Sequence, residues 1–379
     1  MHQIFCSPAR YVQGRDATFS LGSEMTKLGI GGKTLVLASS SAKKLLHAAW
    51  SETFSSAQID YSVESFSGEC SRQEIARVAK VAVEAKAEVI VGAGGGKVLD
   101  AARAVACQLQ LPVVNCPTAA SSDAPCSALS VVYSEHGEFE SYLFYKRNPD
   151  LVLVDTSVIA KAPPRLLSAG MGDALATWFE AKTVIEARRA NQVGGATTIS
   201  AQALAKLCYE TLLADGRAAL TAVENATVTP ALERIVEANT LLSGLGFESG
   251  GLAIAHSVHN GLTTVAETHS FMHGEKVAFG LLVQLVAEGK PQSLIDEVLD
   301  FSHSVSLPIT IAEVGLKNIS PSVAMQIAQR SVAEGETAHN EPFVVTAQLI
   351  ADAILAADAI GKHYLSRNAF ERKLVTAHS

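Results

Sequence analysis

Four of the eleven histidines in this 379-residue chain fall within one short window, Ala255 to Lys276; they are His256, His259, His269 and His273. Histidine is the commonest metal ligand and the usual proton carrier near neutral pH. His256 and His259 are three residues apart in an apolar helical run, so they share one helix face. His269 and His273 are four apart and share a face if that segment is helical. The spacing indicates a metal site but does not choose its ligands.

Two helices joined at "TTVAETHSFM" could aim His256 and His273 at one point. A catalytic divalent ion usually takes three protein ligands and keeps one position open for substrate. The stretch "LLSAGMGDALATWFEA" (166–181) offers Asp173, near the start of a predicted helix, as the third ligand. A carboxylate in that place could also be only an N-terminal cap. From the residues alone, both interpretations stay open.

The segment "VGAGGGKVLD" (91–100) lies where a buried strand is followed by a helix. Consecutive glycines let the backbone approach a ligand closely, and the amide groups at the start of the helix favour a phosphate. Two common nucleotide patterns fail, because G-x-G-x-x-G needs glycine at Lys97, and G-x-x-x-x-G-K-[S/T] needs glycine at Val91 and Ser or Thr at Val98. The segment therefore predicts a phosphate turn of another kind, with a tight packing turn as the alternative.

The next predicted strand ends in the small, polar loop "CPTAASSDAPCSALS" (116–130), whose only charged residue is Asp123. Ligands of open α/β sheets bind at the carboxyl ends of the parallel strands, where this loop lies. A lone loop aspartate is more often a turn former than a substrate contact. Asp123 is therefore a candidate substrate contact with a structural alternative.

The elements that must position these residues change character along the chain. Up to about residue 160, short apolar runs alternate with helical periodicity, which predicts a parallel sheet covered by helices. Two β-rich runs around "SEHGE" (134–138) predict a hairpin added to that sheet. Beyond "KAPPR" (161–165) only helical patterns follow. We expect an α/β domain over residues 1–160 and an all-α domain over 161–379. The predicted strands cover 33–39, 59–66, 87–96, 111–118 and 149–155, with helices over 42–54, 72–86 and 97–109.

Composition narrows the class of protein. The formal net charge of −8 argues against nucleic acid or an anionic membrane as the main partner, because both call for a basic surface. The N-terminal segment lacks a signal-peptide core, and no apolar run approaches the roughly 18–20 residues of a membrane span. The six cysteines contain no C-x-x-C pair, as expected for thiols in a reducing cytosol. A cytoplasmic enzyme acting on a small molecule is the expectation.

Several motifs together resemble one family. "GECS", "GAGGGKVLDAARA", "CPTAASSDAPCSALSVVY", "MGDALATWFEA", "GFESGGLAIAHSVHNGL" and "HGEKVAFG" are similar, in order and spacing, to the polyol branch of the iron-containing alcohol dehydrogenase superfamily, the glycerol dehydrogenases. The resemblance extends to about residue 365. It implies an NAD-binding domain, a helical domain with a catalytic divalent ion, typically zinc with iron as the alternative, and a cleft between the two. It also implies a homo-oligomer, commonly an octamer.

The resemblance also implies roles for single residues. The metal ligands fall on Asp173, His256 and His273, and Asp123 falls on a polyol contact. Thr177 stands where the wider superfamily often has a fourth ligand, as in the three-ligand branch. We place His259 beside the ligands as a candidate for proton release, and His269 as a loop bystander; His339 has no assigned role. The cofactor-binding candidates are Gly94, Gly95, Gly96 and Lys97 at the pyrophosphate, with Asp100, Thr118, Ser121, Ser127, Leu129, Tyr133 and Ser39.

One position departs from the family pattern. Similar enzymes carry an acidic residue at the end of the first predicted strand, where it holds the adenosine ribose, and this chain has Ser39 there. Without a carboxylate to repel a 2′-phosphate, and with Lys43 and Lys44 close by, NADP tolerance becomes a hypothesis. A serine that only caps the following helix is the alternative.

The implied reaction is reversible oxidation of glycerol, or a related short vicinal diol, to dihydroxyacetone. The ion would stabilise the substrate alkoxide while hydride moves to C4 of the nicotinamide. The nearest rival is an NAD(P)H-dependent reductase of small 2-oxo acids, which would need a cation where this chain has Asp123. Dehydroquinate synthase, a relative that acts on a phosphate ester, would need several Arg or Lys in the cleft.

Overall fold

The first half of the chain forms a parallel sheet between two layers of helices. A computed structural model describes residues 1–135, 137 and 139–377, and the side chains of 369–377 are not described. Six strands are hydrogen-bonded in the order β1-β8-β5-β4-β2-β3, and every neighbouring pair is parallel. Their bounds are β1 (Tyr11–Gly14), β2 (Thr34–Ala38), β3 (Tyr61–Ser65), β4 (Val89–Gly94), β5 (Val113–Pro117) and β8 (Leu151–Asp155).

The burial of each strand follows its place in the sheet. All residues of β2, β4 and β8 are buried, whereas the two edge strands β1 and β3 are only half-buried. Alternate side chains of β2 point to opposite faces, with Leu35 and Leu37 on one side and Val36 on the other. Each fully buried side chain of this kind contributes roughly 1.5–3 kcal/mol of hydrophobic free energy. The predicted alternation of strands and helices is confirmed, but β1 was missed, because its four half-buried residues form neither an apolar run nor an alternating pattern.

Helices cover both faces of the sheet. One face packs against α1 (Leu21–Lys27) and α2 (Ser40–Ser56), and the other against α3 (Arg72–Glu84) and α4 (Gly96–Leu109). The predicted hairpin is present as β6 (Leu129–Tyr133) and β7 (Phe139–Phe144), but it forms a separate antiparallel sheet instead of joining the parallel one. Positions 136 and 138 of its predicted turn lie outside the described residues.

From residue 156 onward the named elements of the described chain are helical. They are α5 (Thr156–Ile159), α6 (Pro164–Glu186), α7 (Ile199–Glu224), α8 (Pro230–Glu237), α9 (Ser243–Gly250), α10 (Ile254–Leu262), α11 (His273–Ala287), α12 (Gln292–Ser304), α13 (Pro321–Ser331) and α14 (Ala347–Ala377). A π-helical turn, Ala238–Leu242, joins α8 to α9, and short 3-10 turns lie at Ala17–Ser20, Ala124–Cys126, Ala266–Thr268, Ile311–Val314 and Thr337–Asn340. The domain boundary near residue 160 stays a prediction.

Helix α6 lies at the centre of the helical half. It is buried around most of its circumference, as expected of an interior helix, and it packs against α7, α9 and α11. Within the described residues, none of the helices is long and apolar enough to span a bilayer. All six cysteines are free thiols, as the sequence predicts.

Candidate active site

Three elements bring Asp173, His256 and His273 together. Asp173 lies in the middle of α6, His256 in the first turn of α10, and His273 is the first residue of α11. Asp173 is fully buried. The expectation that it lies near a helix start is therefore wrong, and so is the capping alternative, because a residue this far inside a helix has no free N-terminal amide to cap.

The three side chains leave room for one ion. Their ligand atoms all lie within 4.8 Å of one another. The Nε2 atoms of His256 and His273 are 3.5 and 3.1 Å from Asp173 Oδ1. That oxygen is buried and has no hydrogen-bond partner. A buried carboxylate oxygen facing two imidazole nitrogens without a hydrogen bond is the arrangement expected of metal ligands, so the donor set fits a divalent cation.

Glu180, two helical turns after Asp173 on α6, fixes the His256 ring by a hydrogen bond. Its Oε2 lies 2.6 Å from His256 Nδ1, and its Oε1 accepts the backbone N–H groups of Ala253 (2.8 Å) and His256 (3.1 Å). Because a carboxylate can only accept, Nδ1 carries the proton and Nε2 is left facing Asp173. Glu180 was not among the predicted site residues, although its seven-residue spacing from Asp173 places both on one helix face.

The other two histidines of the Ala255–Lys276 segment, His259 and His269, lie in different surroundings. His259 is buried, and its Nε2 lies 3.0 Å from His273 Nδ1, so it does lie beside a ligand. His269 is exposed on the loop between α10 and α11, where its Nε2 lies 2.9 Å from the Thr263 carbonyl. The segment before His273 is not a continuous helix, so the expected shared face of His269 and His273 is absent. His339 similarly contacts the Val332 carbonyl at 3.0 Å and is exposed.

Glycines allow the ligand-bearing helices to touch. A Cβ on Gly274 would lie 1.8 Å from the Ala169 carbonyl oxygen of α6, and one on Gly170 would lie 1.9 Å from the Ala120 carbonyl oxygen. No side chain can be accommodated at such distances, so only glycine permits this backbone approach. The glycines of "AGMGD" and "HGEK" have no side chains, so the backbones approach closely and Asp173 comes to lie next to His273.

The loop after β5 links the metal ligands to the glycine turn. At one end, the Thr118 backbone N–H donates to Gly94 O at 3.0 Å. At the other, the Asp123 N–H donates to Asp173 Oδ2 at 3.1 Å. Between them, Asn239 in the π-helical turn donates to the Ala120 carbonyl at 2.9 Å. The two candidate sites therefore lie along one continuous loop.

Asp123 is buried next to Asp173. Its Oδ2 accepts a 2.9 Å hydrogen bond from Ser243, whose hydroxyl in turn lies 2.8 Å from the Thr177 hydroxyl. Burial and the neighbouring Asp173 raise the pKa of Asp123 well above its usual range. Burial acts on Asp173 in the same sense, but His273 and His256 outweigh it and lower the pKa of Asp173. The negative charge of the pair is therefore concentrated on Asp173.

The glycine turn lies at the end of β4 and the start of α4. Gly95 is the N-cap of α4 and offers no side chain, so the protein does not cap the first amides of this helix itself. Such uncapped amides favour an anion. Gly94 has no space for a side chain, since its Cβ would lie 2.7 Å from Val98. Lys97 is paired with Glu69 at 2.5 Å and lies over the Tyr133 ring, at 5.3 Å from its centroid.

The other predicted cofactor residues divide into two groups. Asp100 and Arg103 form a buried ion pair, and Arg103 also donates to the Ala124 carbonyl, so the structure places Asp100 where it braces the loop. Ser127 is likewise buried and lies 3.4 Å from the Ala124 carbonyl. The partly exposed group, which borders the loop and the hairpin, comprises Gly96, Thr118, Ser121, Leu129 and Tyr133.

Ser39 is the N-cap of α2. Its hydroxyl accepts the Ala42 N–H at 3.1 Å, and its own N–H donates to Ala93 O on β4 at 3.1 Å. The structure thus shows the capping role that was the alternative interpretation. It also places Ser39 beside the strand that leads into the glycine turn, at the edge where a bound dinucleotide would continue.

Comparison with known proteins supports the resemblance that the sequence motifs indicate. Residues 8–156 match the family model described as iron-containing alcohol dehydrogenase. The glycerol dehydrogenase of Citrobacter freundii is 50% identical over 97% of this chain and 100% of its own length. The chain belongs to the iron-containing alcohol dehydrogenase family. The resemblance stated from the motifs is confirmed, and the chain is an oxidoreductase.

Two further members of the iron-containing alcohol dehydrogenase family are similar to this chain, one in sequence and one in structure. A glycolaldehyde reductase of Halobacterium salinarum is 48% identical over 97% of this chain and 100% of its own length. The crystal structure of glycerol dehydrogenase from Schizosaccharomyces pombe superposes with a TM-score of 0.92 at 38% identity, covering 97% of this chain and 93% of that one. The two-part architecture is confirmed, and the family implies NAD(H) and a divalent metal.

Proposed function

We propose that this chain oxidises glycerol, and related short vicinal diols, with NAD in a reversible reaction that converts glycerol to dihydroxyacetone. The observation that carries the proposal is the convergence of Asp173 Oδ1, which has no hydrogen-bond partner, with two imidazole Nε2 atoms. The glycine turn for the cofactor adjoins the loop that contacts Asp173. Glycerol dehydrogenases at about half identity over the whole chain support the same activity.

Asp173, His256 and His273 would hold the divalent ion, and two histidines with one carboxylate suit Zn²⁺ and Fe²⁺ alike. When bound, the ion supplies a Lewis acid that makes a substrate hydroxyl more acidic. The protein holds both rings in place from behind, His256 through Glu180 and His273 through His259. The Asp123 backbone N–H donates to the same carboxylate, and the Asp123 side chain would contact a second hydroxyl of a diol.

The cofactor would lie across the carboxyl ends of the parallel strands. The uncapped N-terminus of α4 would hold the pyrophosphate, since its amides are free to donate and carry the positive end of the helix dipole. Lys97 is neutralised by Glu69, so the amides supply most of the anion recognition. Tyr133 and Leu129 on the hairpin would flank the nicotinamide half.

The rival, a reductase of small 2-oxo acids, is disfavoured by charge. A carboxylate substrate calls for an Arg or Lys side chain, and the predicted substrate residues Asp123, Asp173, His256 and His273 supply none. Reduction of a hydroxyaldehyde, as the name of the Halobacterium relative suggests, involves no such anion and is compatible with the diol chemistry proposed.

NAD reduction with glycerol, followed at 340 nm, tests the proposal. The enzyme is assayed as purified, after treatment with a chelator, and after return of Zn²⁺ or Fe²⁺. We expect loss of activity with chelation, recovery with metal, and loss in Asp173→Asn; Asp296→Asn, at a partly exposed position of α12, is the control. Full turnover without metal, or a 2-oxo acid used better than glycerol and glycolaldehyde, would overturn it. The homo-oligomeric state, an octamer by resemblance, and the cytoplasmic location stay predictions.

A further inference from the structure

A hydrogen-bond chain leads from His273 to the surface on the side away from Asp173. Its outer end is Glu336, which is ion-paired with Arg330. The Asn260 Nδ2 atom lies 3.0 and 3.3 Å from the two Glu336 oxygens and 3.2 Å from the Tyr142 hydroxyl. An amide oxygen in this place would face a carboxylate, so Glu336 holds the amide with its nitrogen outward. The Asn260 oxygen is therefore turned inward, toward His259.

The direction of this amide determines every proton further along the chain. Asn260 Oδ1 lies 3.1 Å from His259 Nδ1 and can only accept, so His259 Nδ1 carries the proton. Neutral imidazole has one N–H, which leaves His259 Nε2 as an acceptor. His273 Nδ1, 3.0 Å away, must then be the donor. The free lone pair of His273 is consequently on Nε2, which faces Asp173 Oδ1 at 3.1 Å.

The opposite orientation of the Asn260 amide would leave His273 without a free lone pair for an ion. With the Asn260 nitrogen turned inward, His259 Nδ1 would accept, His259 Nε2 would donate, and His273 Nδ1 would accept in turn. The His273 proton would then lie on Nε2, where it would donate to Asp173 and occupy the direction needed for a cation. The amide direction, which Glu336 imposes, thus selects between a ring that binds a divalent ion and one that cannot.

We propose that Asn260 is a positioning residue, oriented by Glu336, which sets the tautomer of His259 and thereby keeps the His273 Nε2 lone pair free for a divalent cation. This inference rests on the proposed metal site. Tyr142 belongs to β7 of the hairpin, so the α/β half also contributes to the hold on Asn260. Among the described residues, the side chains of Asn260 and Glu336 form no hydrogen bond with the side chains of the three ligands, and both act through His259.

Two substitutions separate a tautomer role from a packing role. Asn260→Ala removes the inward acceptor, so both tautomers of His259 become accessible. Asn260→Asp combined with Glu336→Gln keeps an inward oxygen that can only accept, keeps an amide–carboxylate contact with the two roles exchanged, and conserves the total charge. A tautomer role predicts that the double variant binds metal better than Asn260→Ala. A packing role predicts no such rescue, because a charge is buried where an amide packed before.

The readout is the dissociation constant of Zn²⁺ for the metal-free enzyme, measured by competition with a chromogenic chelator and accompanied by Tm. We expect Asn260→Ala to weaken zinc binding by about 10–100-fold, the usual effect of losing a residue that orients a metal ligand, and the double variant to recover most of it. Asn191→Ala is the matched control, since Asn191 is equally buried and its amide also donates twice, to the carbonyls of Ile4 and Ser249. It should lower Tm without changing the zinc constant.

Unchanged zinc binding in Asn260→Ala, or no recovery in the double variant, would overturn the inference. Asp173→Asn distinguishes that failure from failure of the metal site itself. If Asp173→Asn abolishes zinc binding while Asn260→Ala leaves it intact, only the positioning role is wrong. If Asp173→Asn also leaves zinc binding intact, the proposed metal site is wrong and the positioning role with it.

Discussion

Replacing Glu180 with glutamine should weaken metal binding although the shape of the side chain is unchanged. The Glu180 carboxylate accepts three N–H groups, from Ala253, from the backbone of His256 and from His256 Nδ1. A glutamine has one acceptor oxygen and one NH₂ group. It can therefore serve either the ring or the two backbone groups, but not both.

The size of the effect follows from these two choices. If the oxygen of Glu180→Gln faces the ring, the NH₂ faces two buried backbone donors, and each unsatisfied buried donor costs about 1–3 kcal/mol. If the NH₂ faces the ring, the backbone bonds survive, but the His256 proton moves to Nε2 and the ligand is lost. To bind metal, the glutamine must then turn its oxygen back to the ring, which leaves the two buried backbone donors unsatisfied. A difference of about 2 kcal/mol corresponds to a roughly 30-fold weaker dissociation constant.

Chelator competition with Zn²⁺ measures this constant directly, and activity at saturating zinc gives a second readout. We expect the activity of Glu180→Gln to return largely at high zinc, because the ligands themselves are intact. Glu186→Gln is the control, since Glu186 lies at the end of the same helix in an exposed pair with Lys182. A Glu180→Gln zinc constant within about threefold of the unmodified enzyme, where 30-fold is expected, would refute the reasoning.

Three further predictions address packing, pH and cofactor choice. Gly274→Ala would place a Cβ 1.8 Å from the Ala169 carbonyl oxygen, so we expect a lower Tm and little bound zinc by elemental analysis; normal values for both would contradict the close contact. Burial and Glu288 raise the pKa of Glu341 from its ordinary 4.5 to about 9, so ionising Glu341 costs folding free energy that grows as the pH rises between those values. Glu341→Gln should therefore raise Tm more at pH 8.5 than at pH 5, and equal shifts would count against it. For Ser39, we expect kcat/KM with NADP to lie within about a thousandfold of that with NAD, some 4 kcal/mol, and Ser39→Asp to widen the ratio; a wider gap in the unmodified enzyme would remove the hypothesis.

The fold was predictable where burial is complete. Strands β2, β4 and β8 are buried along their whole length, so each appears in the sequence as an apolar run. β1 is a four-residue edge strand whose side chains are all half-buried, and neither alternation nor an apolar run marks it. The hairpin was recognised from its residues, but whether it joins the parallel sheet depends on packing against α4, which no local pattern records.

The site was predictable only in part. The two histidines and Asp173 came from the family motifs, and the structure brings them together; helix periodicity alone paired the wrong histidines. Asp173 was expected near a helix start because it stands ahead of an apolar run, whereas the helix begins earlier and the glycines before Asp173 are contact points between helices. Asn260 is held by Tyr142, 118 residues before it, and Glu336, 76 residues after it, so local sequence gives no sign of the hydrogen-bond chain.

The two histidines are prepared for an ion from opposite sides and by different means. Glu180 holds His256 through a buried carboxylate, while an amide and a second histidine hold His273. Both arrangements put the protons on Nδ1 and leave Nε2 free, and both free atoms face one unpaired oxygen of Asp173. A divalent ion on one carboxylate and two neutral rings would leave one net positive charge. That charge would stabilise the negative oxygen that a substrate hydroxyl leaves when it loses its proton, until departure of the hydride turns the oxygen into a neutral carbonyl.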